Sequence, residues 1–448
     1  MTMQMQNIFT QTKNQSMRKI FISILFIISA GITNAQIDNL SNMSPEWIRT
    51  GGRNAAIKGS DLVVYNPATL TRLEKGLHIG LGNQMFMRKP SHTYDLGWGE
   101  VKHEQDGNDY FVPNLFLSYN KNKWAVWGGV YISGGGATAN YPEGSLNTEL
   151  IGLSLLSAFQ GAYLGTGQQY LKASSLYLTG TAGFSYAINE QFSAALGVRY
   201  VNATNKTKAG TELIGDFSNL PVNMEQEDNA NGIAAVISLS ARPIEKLNIA
   251  VRLETNTKLN FKTKQKVDDL EQSTGGMAEL VVDGQESRRD LPGLAGIGIG
   301  YEFSKAFRLT AEMNYYFQQH ADWGKRADGK RINTLAGDAM NFGGGFEWMW
   351  SKYITWSAGA VYTMLDFNDM AGYYTTLGAF ETAPYNNLTA NTGFAIDLSE
   401  KFRVNVGVAK AFYKKDKTVA IEAMAPNVVK AKLNNDVLML GAGIDLRF

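Results

Sequence analysis

The residues that could do covalent chemistry are few. This 448-residue chain has four histidines, His78, His92, His103 and His320, and no cysteine. No two histidines stand four apart, the spacing that places two zinc ligands on one helix face. Without cysteine there are no thiolate nucleophiles, thiolate metal sites or disulfides. No nucleophile-elbow motif surrounds any serine, so a hydrolase would need its serine and histidine to converge from distant positions. Gly343-Gly344-Gly345 lacks the lysine and helix that complete a phosphate loop. Asp106-Gly107-Asn108-Asp109 has calcium-like oxygens but not the terminal glutamate of the loop signature. The reading is therefore a non-enzyme with no catalytic residue, no metal and no cofactor.

The chemistry that remains is apolar binding. Leu150 to Leu164 is the greasiest run after the N-terminus, and its apolar positions 151, 155, 156 and 159 suit helical spacing. An exposed patch of this kind marks a binding site, which makes Leu150, Ile151, Leu155, Leu156, Phe159, Tyr163 and Leu164 the candidate ligand-binding residues. The other reading is a helix that buries its own face over whatever lies beneath. Each buried methylene is worth about 0.8 kcal/mol, so ten give roughly 8 kcal/mol, a micromolar affinity without an ion pair.

The elements around that run alternate with period 2. At the C-terminus Leu438, Leu440, Ala442, Ile444, Leu446 and Phe448 share one face, while Gly441, Gly443, Asp445 and Arg447 share the other. Fourteen such stretches are expected: 76–87, 109–119, 123–133, 175–188, 191–201, 232–242, 246–260, 294–303, 306–317, 341–350, 353–364, 389–398, 401–412 and 436–448. Short polar turns such as Asn189-Glu190, Ser304-Lys305 and Ser399-Glu400 alternate with connections of about 20–40 residues. This is the pattern of an all-β, 14-stranded antiparallel transmembrane β-barrel in the outer membrane, surrounded by its lipid. Arg199, Arg252, Glu254, Glu312 and Arg403 fall on the polar, lumen-side face; a Lys or Arg facing lipid at mid-depth costs about 2–4 kcal/mol. Trp124, Trp127, Tyr200, Tyr301, Tyr315, Trp348, Trp350 and Tyr353 are expected in interfacial girdles. A net charge of +1 leaves no footprint for nucleic acid.

The N-terminus reads as a secretory leader. Arg18-Lys19 precede an apolar run over 20–28, and Thr33-Asn34-Ala35 has the small-x-small form of a cleavage site. Residues 1–35 are thus a signal peptide, with 1–16 an upstream extension; the run is too short for a spanning helix, which needs about 20 residues. Residues 36–75 are small, mixed and aperiodic, and are expected to fold as a plug inside the bore of the 76–448 barrel.

Gly59-Ser60-Asp61 and Tyr65-Asn66-Pro67-Ala68 ahead of the first strand, with Val112-Pro113-Asn114 and Asn122-Lys123-Trp124-Ala125-Val126-Trp127-Gly128-Gly129, resemble the FadL-type long-chain fatty-acid transporters. That group includes aromatic-hydrocarbon channels. The likeness is motif-specific over about 59–136, and Thr69 departs from the small residue frequent after the motif. It implies a monomer that takes up hydrophobic small molecules, long-chain fatty acids or aromatic hydrocarbons. Capture at apolar helices in the 134–174 loop is implied, then release gated by a hatch. Asn66, Pro67 and Ala68 are the gating residues on the hatch side. Gly128 and Gly129, with 134–136, would let the third strand kink into a lateral exit. The alternative expectation is a barrel of the same family serving protein secretion or surface assembly.

Overall fold

The computed structural model describes residues 42–448 apart from Ala327, Ala425 and Pro426. The expected leader at 1–35 and residues 36–41 lie outside the described residues. Fourteen antiparallel strands form one closed wall: β1 Gly76–Arg88, β2 Gly107–Lys121, β3 Trp124–Tyr141, β4 Gly165–Ala187, β5 Phe192–Ile214, β6 Leu220–Ile244, β7 Leu247–Glu254, β8 Leu294–Ser304, β9 Phe307–Tyr316, β10 Ala336–Met349, β11 Ile354–Phe367, β12 Asn387–Ser399, β13 Phe402–Tyr413 and β14 Val437–Arg447. Neighbours in sequence are neighbours in the wall. β14 pairs back onto β1 from His78↔Arg447 to Arg88↔Val437, which closes the cylinder.

All fourteen expected strands exist, and the face assignment follows the alternation. Outward positions carry an apolar belt: Leu176, Phe184, Leu196, Ile233, Ile299, Phe342, Leu388 and Leu440 are all exposed. Trp348, Trp350, Tyr353, Tyr186 and Phe448 ring its lower rim, at the end holding the short turns. Trp127 does not join that girdle. It points inward, buried, with Nε1 donating to Ser185 Oγ at 2.9 Å. Gly183 and Gly197 leave the space for its ring, since a Cβ at either would collide with it.

Three strands run well above the expected length. β4, β5 and β6 continue upward together, and β5 joins β6 through residues 215–219 alone rather than a long loop. β7 stops at Glu254, short of the expected 260. The chain then crosses above Gly232, where a side chain would strike the Lys258 carbonyl. It returns as an outer strand, Asn260–Asp268, paired with the upper half of β6. β6 is therefore shared, with β7 on its lower half and the outer strand on its upper half.

Candidate functional site

The bore is filled. α1 (Pro45–Thr50) is capped at its start by Ser44, whose side chain accepts from Trp47 N, and ended by Gly51 at φ 73°, a left-handed turn that suits glycine. All six of its residues are buried. The wall admits it because inward positions there are glycine. Cβ atoms built at Gly345 or Gly407 would press on its backbone, and one at Gly443 on the ring of Pro45. Arg49 donates to Ser357 Oγ at 2.7 Å and pairs with Glu347 at 2.8 Å. Asn391 donates to the Ile48 carbonyl at 3.1 Å, and Asn405 to Glu46 at 3.0 Å. Below α1, Arg53 and Asp61 form a fully buried bidentate pair at 2.6 and 2.8 Å.

The expected gating motif sits on the other side of the bore. α2 (Leu62–Tyr65) leads into a 3-10 turn, Pro67–Arg72. Asn66 Oδ1 accepts from Ser238 Oγ at 3.2 Å, and Ser185 Oγ donates to the Pro67 carbonyl at 2.7 Å. Asn66, Pro67 and Ala68 are thus seated between β4 and β6, all buried. Leu62, Val63, Val64 and Tyr65 pack with Phe116, Tyr131 and Ile132 of the wall in one apolar cluster.

That cluster backs onto a discontinuity in the wall. β2 and β3 are paired only from Leu115↔Val130 down to Lys121↔Trp124. Above that point β2 pairs only with β1 and β3 only with β4. β3 breaks register twice here, between Ile132 and Gly134 and between Gly135 and Ala137. β1 and β2 slip between Gln84 and Phe86. Gly128 and Gly129, by contrast, lie in the regular ladder opposite Leu117 and Phe116. The seam is closed at the top by a clasp: Thr138 Oγ1 donates to Asp109 Oδ1 at 2.8 Å, and Asp106 N to the Asn140 carbonyl at 2.8 Å. Outside it Tyr110 and Phe111 are 60% and 76% exposed; inside it Val112 and Tyr131 are buried.

The upper end is capped. Ser91–Asp95 and Glu100–Glu104, from the β1–β2 connection, form a four-stranded sheet with Lys417–Met424 and Asn427–Asn434 from the β13–β14 connection. Beneath it lies α3 (Leu146–Ala158), started by a Ser145–Thr148 capping box. Leu146 N donates to His92 Nε2 at 3.0 Å, and Asn147 Nδ2 reaches both carboxyl oxygens of Glu381 at 2.7 Å. Burial, helped by neighbouring His103, pushes the His92 imidazole down to about 3. Burial pushes the Glu381 carboxyl up to about 7.

The seven candidate ligand-binding residues divide across this cap. Leu150 packs in its core with Leu146, Trp323, Tyr374 and Phe380. Ile151 and Leu155 are buried against Tyr141, Leu213 and Met224. Leu156, Phe159 and Tyr163 are partly buried at that cluster's edge, and Leu164 is 70% exposed. Only the C-terminal end of the run faces outward. Under the helix is a narrow apolar crevice of about 10 Å³, lined by Thr148, Ile151, Thr211, Val222, Met224 and Leu280. Leu280 of this lining is held by Asp268, whose carboxylate accepts from the N–H groups of Glu271, Leu280 and Val281, starting the helix α4 (Asp269–Thr274) and tying down the segment that follows. Asp268 carried no motif in the sequence, whereas the breaks in β3 fall at the glycines of 134–136, the expected kink.

These features define a stoppered, capped fourteen-stranded barrel with an unpaired seam. No family model and no curated protein sequence matches the chain. Solved structures do. A Pseudomonas aeruginosa FadL homologue shares 12% identity with a TM-score of 0.67, over 92% of this chain and 100% of that one. The Pseudomonas putida toluene transporter TodX gives 12% and 0.59 over 92% and 100%. The Ralstonia pickettii toluene transporter TbuX gives 14% and 0.58 over 92% and 99%. The fold is FadL-type.

Proposed function

We propose that this chain is an outer-membrane channel for passive uptake of hydrophobic small molecules, and that it releases them sideways through the β2–β3 seam. The observation that carries this reading is the seam itself. It joins an apolar cluster behind the plug to an apolar outer belt, while the axial route is filled by buried, hydrogen-bonded plug residues. A water-soluble cargo has no use for such a path. The fold shared with a FadL homologue and with two toluene transporters supports the same class of cargo. Long-chain fatty acids are the first ligands to test and aromatic hydrocarbons the second. In this reading residues 1–35 are the secretory leader, 36–75 the plug and 76–448 the barrel. Capture occurs at Phe159, Tyr163 and Leu164, the outward end of the apolar run.

Purified protein in detergent should bind a fluorescent acyl chain saturably at micromolar concentration. Phe159→Asp should weaken that binding about tenfold or more, the cost of a charge placed where an apolar contact stood. No saturable binding of either an acyl chain or toluene by the intact wild type would refute the proposal.

A further inference from the structure

Above the apolar belt, the outward face of β4–β6 and the outer strand Asn260–Asp268 is dense in lysine. Lys172, Lys206, Lys208, Lys262, Lys264 and Lys266 are all exposed on it. Register puts them side by side. Lys172 stands directly opposite Lys208, and Ser174, Lys206, Glu227 and Lys264 form one row across four strands. Three carboxylates stand among the six ammoniums: Glu225 pairs with Lys208 at 2.8 Å, Glu227 with Lys206 at 3.8 Å, and Glu286 lies opposite Lys262 in the ladder. Among the described residues Lys172, Lys262, Lys264 and Lys266 make no ion pair. Like charges directly opposite in a sheet are destabilising, so the Lys172–Lys208 pair has a cost that an external anion would remove. The chain as a whole is nearly neutral, which makes the patch a local feature. Lysines at a sheet edge can serve only to prevent edge pairing. That covers Lys264 and Lys266. It does not cover Lys172, Lys206 and Lys208, whose strands are paired on both sides.

Height identifies the anion. Leu176 and Tyr200 end the continuous belt on β4 and β5, with Tyr170 the one large apolar residue exposed on that face of β4 beyond it. Lys172 lies four residues higher and Lys206 six, about 13 and 20 Å along tilted strands. That is where phosphates of an outer leaflet meet a barrel wall. We propose that this lysine patch is a docking surface for the phosphorylated headgroup of a glycolipid in the surrounding outer leaflet. The inference rests on the membrane location proposed above.

The test uses the full chain in phosphatidylcholine nanodiscs, titrated with bis-phosphorylated lipid A, with the same lipid stripped of phosphate, and with inorganic phosphate as competitor. The wild type should bind the phosphorylated lipid at least tenfold more tightly than the stripped one. K172S/K208S/K264S should abolish that preference while keeping acyl-chain binding, and E225Q/E227Q should strengthen it. Equal binding of the two lipids, or a preference that survives the lysine changes, overturns the proposal. Competition by millimolar inorganic phosphate overturns the glycolipid assignment, because a free anion would then suffice. Failure of the wild type to enter nanodiscs overturns the membrane reading and this inference with it.

Discussion

Gly407→Ala tests whether the wall is shaped around the plug. A Cβ at Gly407 falls 2.8 Å from Arg49 N, 2.9 Å from Arg49 Cα and 3.1 Å from the Ile48 carbonyl carbon. These are backbone atoms, so no flexible side chain can swing aside. The strand cannot retreat either: Gly407 is paired with Gly393 on one side and Gly441 on the other, in ladders unbroken at that level. α1 must yield. Overpacking a tight contact costs about 1–3 kcal/mol, which falls on the seating of α1 and lowers it roughly 5- to 150-fold. Amide hydrogen exchange over residues 44–52, followed by mass spectrometry in detergent, should accelerate by that factor. The heat-dependent gel shift of the folded barrel should not change. Gly180→Ala is the control, because its added methyl meets no atom within 4 Å. Unchanged exchange in Gly407→Ala, or equal acceleration in Gly180→Ala, would refute the reasoning.

The cap should respond to pH through groups of opposite sign. Glu381 has its pKa raised by burial to about 7, so the closed cap binds a proton the open one has lost, and closure weakens by about 3 kcal/mol as pH rises from about 4.5 to 7. His92 has its pKa lowered to about 3, so closure weakens as pH falls from about 6.5 toward 3. Burial also lowers the pKa of the neighbouring His103, so between 4.5 and 6.5 the Glu381 slope opposes both histidines; exchange protection of residues 146–158 should rise with pH there only gently, and Glu381→Gln should steepen that rise. Asp61→Asn leaves the Arg53 guanidinium buried without its partner, a change that costs roughly 3–5 kcal/mol in buried pairs, and protease sensitivity of the plug should report it while the barrel stays folded. Asp109→Ala removes the acceptor of the Thr138 clasp; transfer of a bound fluorescent acyl chain to vesicles should become several-fold faster, and an unchanged rate would place the exit elsewhere.

The wall was legible in sequence because lipid and lumen impose opposite demands on alternate residues, and lipid-side positions such as Leu196 and Ile233 announce themselves. Above the belt that contrast ends. Asn202 to Ile214 carries Asn202, Thr204, Lys206 and Lys208 outward and mixes Ala203, Ala209 and Leu213 with Asn205, Thr207 and Thr211 inward, so neither face is consistently apolar and the expected strand ends at 201. Trp127 was readable and misassigned: it shares parity with Ala125 and Gly129, the inward side. The cap sheet was not readable, since strands such as Ser91–Asp95 are short and pair across more than 300 residues with Asn427–Asn434. The plug motif pointed to a stopper, but nothing local told which wall strands Asn66 and Pro67 would meet.

The plug is held differently on its two sides, and that decides which part of it can move. Toward β8–β14, α1 is gripped by backbone-close glycines and by Arg49, Asn391 and Asn405; lifting it would strand a buried guanidinium, at roughly 3–5 kcal/mol. Toward the seam, α2 offers Leu62, Val63 and Val64 to Phe116, Tyr131 and Ile132, and its charged tie is the Arg252 guanidinium, which donates to the Val64 carbonyl. Withdrawing these side chains exposes apolar surface, but an arriving hydrophobe covers the same surface at about 25 cal/mol per Å². One apolar occupant replaces another, so the cost is lower with cargo than without it, and what remains is the loss of the Arg252 bond to the Val64 carbonyl. Under the proposed function, the seam side of the plug is therefore the part expected to move, and hydrogen exchange over residues 62–65 should accelerate on adding an acyl chain while exchange over 44–52 does not.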